Sequence, residues 1–273
     1  MGTHISGKNG GIYSEALVVE NCEDTWEEGT PTGCTDEAIT DCKVGTYAAR
    51  VTTDATAIAD QVLMSEVIPA GAARDLSTYQ AIIFWARSNV AALTADDLKL
   101  QISESALCAT PAESLALPAL TANTWQWCFA LFTGGTTTRD VIISVGLYQD
   151  TDLGVGTFDI DDVEALKEDQ GIKSWTLDYT SDTLETTDFA DTGTRSYIAG
   201  CNGWSGSFEG FKDGAPLSIG SEVYLVLGET NTAGQQWIGK IVITGAHASV
   251  SFDGLVSYSY DFTGNGELQV PSV

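Results

Sequence analysis

Basic side chains are scarce in this sequence. It has 12 Lys and Arg against 38 Asp and Glu, a formal net charge of -26 at pH 7. A chain this acidic repels nucleic acid and anionic lipid. Long apolar runs are missing too. The longest, Ala81–Ala86 and Trp127–Phe132, have six residues each, where a bilayer-spanning helix needs about 20. No secretory signal is expected, because Met1 to Lys8 hold no apolar stretch. The same residues match Met-Gly-x-x-x-Ser, a myristoylation pattern short enough to arise by chance.

Histidine is limited to His4 and His247, and neither stands beside a Ser, Cys or carboxylate motif. There is no Gly-x-Ser-x-Gly elbow, no phosphate loop and no His-Glu-x-x-His. Asp159, Asp161 and Asp162 are too close in sequence to serve as the two separated carboxylates of a glycosidase. The expectation is therefore a protein that is not an enzyme. The six cysteines, Cys22, Cys34, Cys42, Cys108, Cys128 and Cys201, contain no Cys-x-x-Cys pair, which argues against a zinc ribbon. Reduced, buried thiols are the favoured reading. The alternative is a late-formed disulfide, with Cys34–Cys42 and Cys108–Cys128 as the pairs to consider.

What the chain has in quantity is glycine (28 residues), threonine and strict alternation, the composition of a β protein with many turns. Trp125, Trp127, Phe129 and Leu131 alternate with Gln126, Cys128 and Ala130. Leu98, Leu100 and Ile102 alternate with Lys99 and Gln101, and Val141, Ile143, Val145 and Leu147 form a similar set. Further on, Trp175, Leu177 and Tyr179 oppose Thr176, Asp178 and Thr180. Val256, Tyr258, Tyr260 and Phe262 oppose Ser257, Ser259 and Asp261. Val223, Leu225 and Leu227 alternate with Tyr224 and Val226, so that strand is expected to be covered on both faces. An all-β chain follows, with a two-sheet sandwich in its first part. Lys167-Glu168-Asp169-Gln170-Gly171 reads as a linker or hinge.

Residues 16–166 resemble the jelly-roll carbohydrate-binding modules and their galactose-binding-like relatives. The resemblance is carried by Glu20-Asn21-Cys22-Glu23-Asp24 with Trp26, by Gly45 to Val51, and by Asp75 to Tyr79 leading into Ile82 to Arg87. Ser144 to Tyr148 and Ile160 to Val163 complete it. It implies a sugar-stacking aromatic, for which Trp26 and Tyr148 are the glycan-contact candidates. Trp125 and Trp127 are assigned to the core. It also implies a structural calcium between first and last strands, with Glu20, Glu23, Asp161 and Asp162 as candidate ligands. Solvated acidic loop ends are the alternative.

The flanking pieces resemble the major tail tube proteins of long, flexible-tailed bacteriophages. Ser174 to Asp178, Thr186 to Gly193, Gly200 to Gly210, Gly239 to Thr244 and Val256 to Gly266 carry this, together with Ser6 to Tyr13. That family runs from the opening strand to the tryptophan strand without such a long interruption. The expected organisation is thus a discontinuous tail tube domain, 1–15 and 168–273, with a jelly roll inserted at 16–167. Insertion at a surface loop through adjacent ends disturbs a host domain little.

The resemblance implies a structural virion protein, stacked as hexameric rings into a tail tube that conducts DNA during ejection. Its partners would be itself, other tail proteins, genomic DNA passing the lumen without specific binding, and host surface glycans at the outward jelly roll. Membrane insertion is not expected. Localisation would be the virion tail, after assembly in the host cytoplasm. Thr176, Asp178, Thr180, Ser257, Ser259 and Asp261 are the channel-lining candidates, because short polar and acidic side chains there alternate with residues that need burial. The alternative is a glycan-binding adhesion module with no tube-forming role.

Overall fold

A computed structural model describes residues 9–26, 31–69, 71–91, 93–135, 139–187, 194–211, 215–229, 235–250 and 256–271. The architecture is all-β, with a single 3-10 turn, Ala106–Cys108, among the described residues. The strands are β1 (Asn9–Glu20), β2 (Cys34–Ile39), β3 (Ala48–Thr53), β4 (Gln61–Val67), β5 (Ala81–Ser88), β6 (Leu98–Ser103), β7 (Pro111–Ala116) and β8 (Gln126–Leu131). They continue as β9 (Ser144–Gln149), β10 (Gly156–Gly171), β11 (Ser174–Glu185), β12 (Tyr197–Phe211), β13 (Glu222–Gly228), β14 (Gln236–Ser249) and β15 (Ser257–Gln269). The chain divides into two compact units. One takes Met1–Ser14, Asp169–Asn231 and Gln236–Val270; the other takes Glu15–Glu168 with the short pieces Thr232–Gln235 and Pro271–Val273.

The second unit is a sandwich. One sheet is built on β10, with β3 and β2 to one side and β5 and β8 to the other. The facing sheet has the order β4-β9-β6-β7, antiparallel throughout. Val51, Phe84 and Ile160 from the first sheet meet Leu63, Leu100, Val145 and Leu147 from the second in one buried cluster. The pleat explains the pairing, since alternate side chains of each strand reach this layer. β5 is buried on both faces. Ile82, Phe84 and Ala86 enter the sandwich core, while Trp85 turns the other way and stacks on Trp127, ring centroids 3.9 Å apart. Trp127 of β8 is therefore buried, but on the face opposite the sandwich core, to which β8 contributes Cys128, while Trp125, just before β8, is half-buried.

The first unit is a single antiparallel sheet in the order β11-β12-β15-β14-β13-β1. Its core takes Ile12, Trp204, Phe208, Val223, Leu225, Ile241, Ile243, Tyr260 and Phe262. Ile172 N–H donates to the Gly10 carbonyl, and Lys173 N–H donates to the Glu209 carbonyl. The entry to β11 therefore bridges β1 and β12, and the sheet curls around its apolar face. β13 is buried on both faces beyond Glu222, Tyr224 and Val226 included.

Candidate functional site

Two features of the surface stand out, one in each unit. In the sandwich unit the outward face of β4-β9-β6-β7 holds a cleft of about 480 Å³. Its floor follows from register: Val62, Tyr148 and Lys99 stand in one cross-strand row, and Gly146, Gln101 and Ser114 in another. Their neighbours Leu98, Leu100, Ile102 and Leu147 point into the core, so alternation leaves these polar side chains outside.

One wall is the turn at Ala106–Cys108. Leu107 and Cys108 both have left-handed backbone, φ 57° and 51°, a conformation that side-chain-bearing residues adopt at a cost. Hydroxyl groups hold it there. Cys108 N–H donates to Ser144 Oγ at 3.1 Å, Ser144 Oγ donates to the Ser105 carbonyl at 2.7 Å, and Ser103 Oγ donates to the Thr110 carbonyl at 2.7 Å. Cys108 Sγ would lie 3.0 Å from a Cβ at Gly146, so glycine there makes room for the thiol.

The opposite rim is charged. Lys99 Nζ donates to Asp150 Oδ1 at 2.7 Å, and Tyr148 OH donates to Asp60 Oδ1 at 3.1 Å. Burial, followed by the Asp60 carboxylate, raises the Tyr148 phenol. Burial pushes the Cys108 thiol up to about 11, which leaves it protonated and without nucleophilic character at neutral pH. The cleft thus offers an aromatic ring, an aliphatic side chain at Leu107 and a rim of donors and acceptors.

Of the two sugar-contact candidates, Tyr148 lines this cleft and Trp26 does not. Trp26 is fully buried in the sandwich core beside Val19 and Cys22. Its acidic neighbours Glu27 and Glu28 lie outside the described residues, and their charge says nothing about which way the indole turns. Asp60, Lys99, Gln101 and Asp150 escaped the sequence reading. Lys99 and Gln101 were legible as the polar partners of the Leu98, Leu100, Ile102 alternation, whereas Asp60 and Asp150 reach the cleft only through strand pairing.

The implied calcium fares differently. Glu20 Oε1 accepts the N–H groups of Asn21 and Cys22, and Glu23 Oε1 accepts Thr46 N–H at 2.8 Å. Asp161 Oδ2 accepts Lys43 and Val44 N–H at 2.7 and 2.9 Å. Asp162 sits at a bulge in β10 with φ 50°. Among the described residues no three His, Cys, Asp or Glu side chains gather as a metal cluster. Three of the four candidate carboxylates, Glu20, Glu23 and Asp161, tie down backbone of the loops at residues 21–22 and 43–46. Asp161 Oδ1 stays buried without a hydrogen-bond partner. All six cysteines are free thiols, so neither Cys34–Cys42 nor Cys108–Cys128 is bridged.

In the first unit the six channel candidates share one sheet face. Thr176 pairs with Ser207 and Ser207 with Asp261, with Thr176 and Ser207 hydroxyls 2.9 Å apart. Asp178 pairs with Ser205, Thr180 with Gly203, Ser259 with Glu209, and Ser257 with Phe211. Thr176, Asp178, Thr180 and Asp261 are exposed, while Ser257 and Ser259 are half-buried. His247 Nε2 and Asp261 Oδ2 are hydrogen-bonded at 3.0 Å on this face.

Beyond Tyr179 the β11–β12 pair leaves the core behind. Every residue of β11 from Asp178 to Glu185 is exposed. A β-bulge between Ser181 and Thr183 shifts the register, and Leu184 pairs with Ile198 just beyond it. Tyr179, Leu184, Tyr197 and Ile198 are all about half exposed. β11 also ends the sheet order, so beyond the bond of Ile172 to Gly10 no strand among the described residues pairs with its outer edge.

No protein-family model matches the chain, and no curated protein matches it. Among solved structures, one similar to it is the tail of an empty gene transfer agent particle with C6 symmetry: 17% identity over 39% of this chain and 87% of that one, TM-score 0.31. A second is the xylan-binding domain CBM22-1 from Paenibacillus barcinonensis, with 11% identity over 62% of this chain and 97% of that one, TM-score 0.32. A third, from Clostridium thermocellum, is a xylanase carrying a CBM22-1 module, with 18% identity over 57% of this chain and 28% of that one, TM-score 0.37.

Proposed function

We propose that this chain is a non-catalytic structural subunit of a phage-type tail, in which the first unit joins copies of itself into stacked hexameric rings. The exposed β11–β12 ribbon carries this reading. A two-stranded ribbon standing off its own core is marginal in water, and an open strand edge invites pairing with another chain. Apolar side chains at Tyr179, Leu184, Tyr197 and Ile198 give a second copy something to bury. The face of Thr176, Asp178, Thr180, Ser257, Ser259 and Asp261 would then line the lumen, where acidic groups repel passing DNA. Other tail proteins would bind the ends of the tube. In this reading residues 1–15 and 168–273 form the tube domain, residues 16–167 decorate its outside, and the particle matures in the host cytoplasm.

Negative-stain microscopy of purified protein tests the proposal. Rings or tubes are expected. A monodisperse monomer by light scattering at every concentration and salt, with no rings on the grid, would remove the tube.

The cleft beside Tyr148 favours a second role for the sandwich unit, the holding of neutral host glycans, whether or not the tube forms. Affinity electrophoresis against neutral polysaccharides, with Tyr148→Ala as control, checks it. Equal mobility with and without every polysaccharide would leave the cleft unassigned to sugar.

A further inference from the structure

We propose that Lys240 and Asn265 become joined by an intramolecular isopeptide bond, with Glu222 moving the protons. Three adjacent strands bring the reactants together. Tyr224 on β13, Lys240 on β14 and Asn265 on β15 stand in one cross-strand row, and Glu222, Val242 and Thr263 stand in the next. Directly opposed residues have Cβ atoms about 4.5–5.5 Å apart, well within the reach of a lysine side chain to the carboxamide of its partner.

Glu222 lies two strands from Asn265, yet its Oε2 accepts the Asn265 Nδ2 hydrogen at 2.7 Å. That bond crosses over β14 between the positions of Lys240 and Val242, so the three side chains rise from one face of the sheet. Lys240 Nζ rests over the Tyr224 ring, 4.8 Å from its centroid. Such a contact is weak at a partly exposed site, and one rotamer change brings the amine from the ring to Asn265.

The chemistry balances without any co-reactant. The Glu222 carboxylate takes a proton from the Lys240 ammonium, and the nitrogen lone pair attacks Asn265 Cγ. The tetrahedral centre passes the attacking nitrogen's second surplus proton to Nδ2, Glu222 returns the first, and the centre collapses with cleavage of the Cγ–Nδ2 bond, so that the nitrogen departs as ammonium and Glu222 is again a carboxylate. One amide replaces another, and one ammonia leaves. Glu222 is already bonded to the nitrogen that has to be protonated. The product would bolt β14 to β15 across the base of their hairpin. Unlike a disulfide, it would hold in a reducing compartment, where the six cysteines of this chain stay free.

Mass spectrometry of the denatured, reduced full-length protein tests this. The expected mass is that of the sequence less one ammonia. A protease digest should contain one branched peptide joining the Lys240 and Asn265 segments. Lys240→Arg should restore the full mass, and Glu222→Gln should slow the loss severalfold while the far-ultraviolet circular dichroism of both variants stays native. Asn265 precedes Gly266, which has φ 89°, and a cyclic imide at that Asn-Gly step would also shed ammonia. The imide keeps its mass deficit in Lys240→Arg and yields no branched peptide. Either that result, or a wild-type chain that holds its full sequence mass after prolonged incubation in the folded state, overturns the proposal.

Discussion

Gly264 and Gly239 clasp the Trp204 indole, and a Cβ at Gly264 would stand 2.0 Å from the ring. Trp204 Nε1 donates to the Gly266 carbonyl at 3.2 Å, so the ring cannot retreat without losing that bond. Gly264→Ala should therefore destabilise the first unit by about 2–3 kcal/mol, the usual scale of overpacking, measured as a lowered urea midpoint by circular dichroism. Asp161 shows a different residue-level cost. Burial raises its carboxyl above the ordinary range against the pull of the Val44 and Lys43 N–H groups. A folded value above the unfolded one means that ionisation opposes folding at neutral pH. That penalty fades as pH falls through the folded value. Asp161→Asn should thus gain stability relative to wild type at pH 7 and lose that advantage near pH 4. Thermal melts at the two values check the sign, and an equal difference at both would refute it.

At the scale of elements, alternation told which residues share a face but not how far a core extends along a strand. Trp175, Leu177 and Tyr179 read as one apolar set. Trp175 and Leu177 pack on the core, whereas Tyr179 stands half exposed on the ribbon. The strand outruns the sheet that covers it, and the sequence carries no mark of where that happens. Leu184 falls by simple alternation on the side of Asp178 and Thr180, and the extra residue of the bulge, on β12 between Ala199 and Asn202, brings Ile198 to that side as well, since one extra residue reverses the faces of its strand beyond it. Leu184→Asp with Ile198→Asp should leave folding within about 0.5 kcal/mol, as exposed changes usually do, and should abolish self-association in sedimentation. Rings formed at the wild-type concentration would show that the ribbon is not the joint. β8 teaches the same lesson about faces. Trp127 and Phe129 are buried as their alternation demands, yet the sandwich core takes Cys128 from between them.

For the molecule as a whole, charge sets the conditions of assembly. Each copy carries a net -26, and like-charged copies repel over the Debye length, about 30 Å at 0.01 M salt and 3 Å at 1 M. Apolar contact and strand pairing are far less sensitive to salt. The concentration at which rings appear should therefore fall severalfold between 10 mM and 500 mM NaCl. Assembly that weakens with salt would point instead to ion pairs at the joint. Removing residues 16–167 and bridging the gap should leave a unit that still assembles, because its own core is drawn from Ile12 and from residues beyond 172. Loss of the β signal in circular dichroism would show that the two units fold as one.

Composition and period decide what is local or additive. Strict alternation with glycine and threonine between strands makes the chain β. Short apolar runs exclude a membrane helix, and an excess of carboxylates governs long-range forces whatever the fold. Contacts between residues far apart in sequence are decided elsewhere. Tyr148 and Asp60 meet in a cleft because β9 pairs with β4. Trp26 is buried despite its acidic neighbours because the core closes around Cys22 and Val19. Glu222 finds Asn265 because β14 runs between their strands. Alternation sets a side chain's face one strand at a time, and neither strand order nor register is written in any single strand.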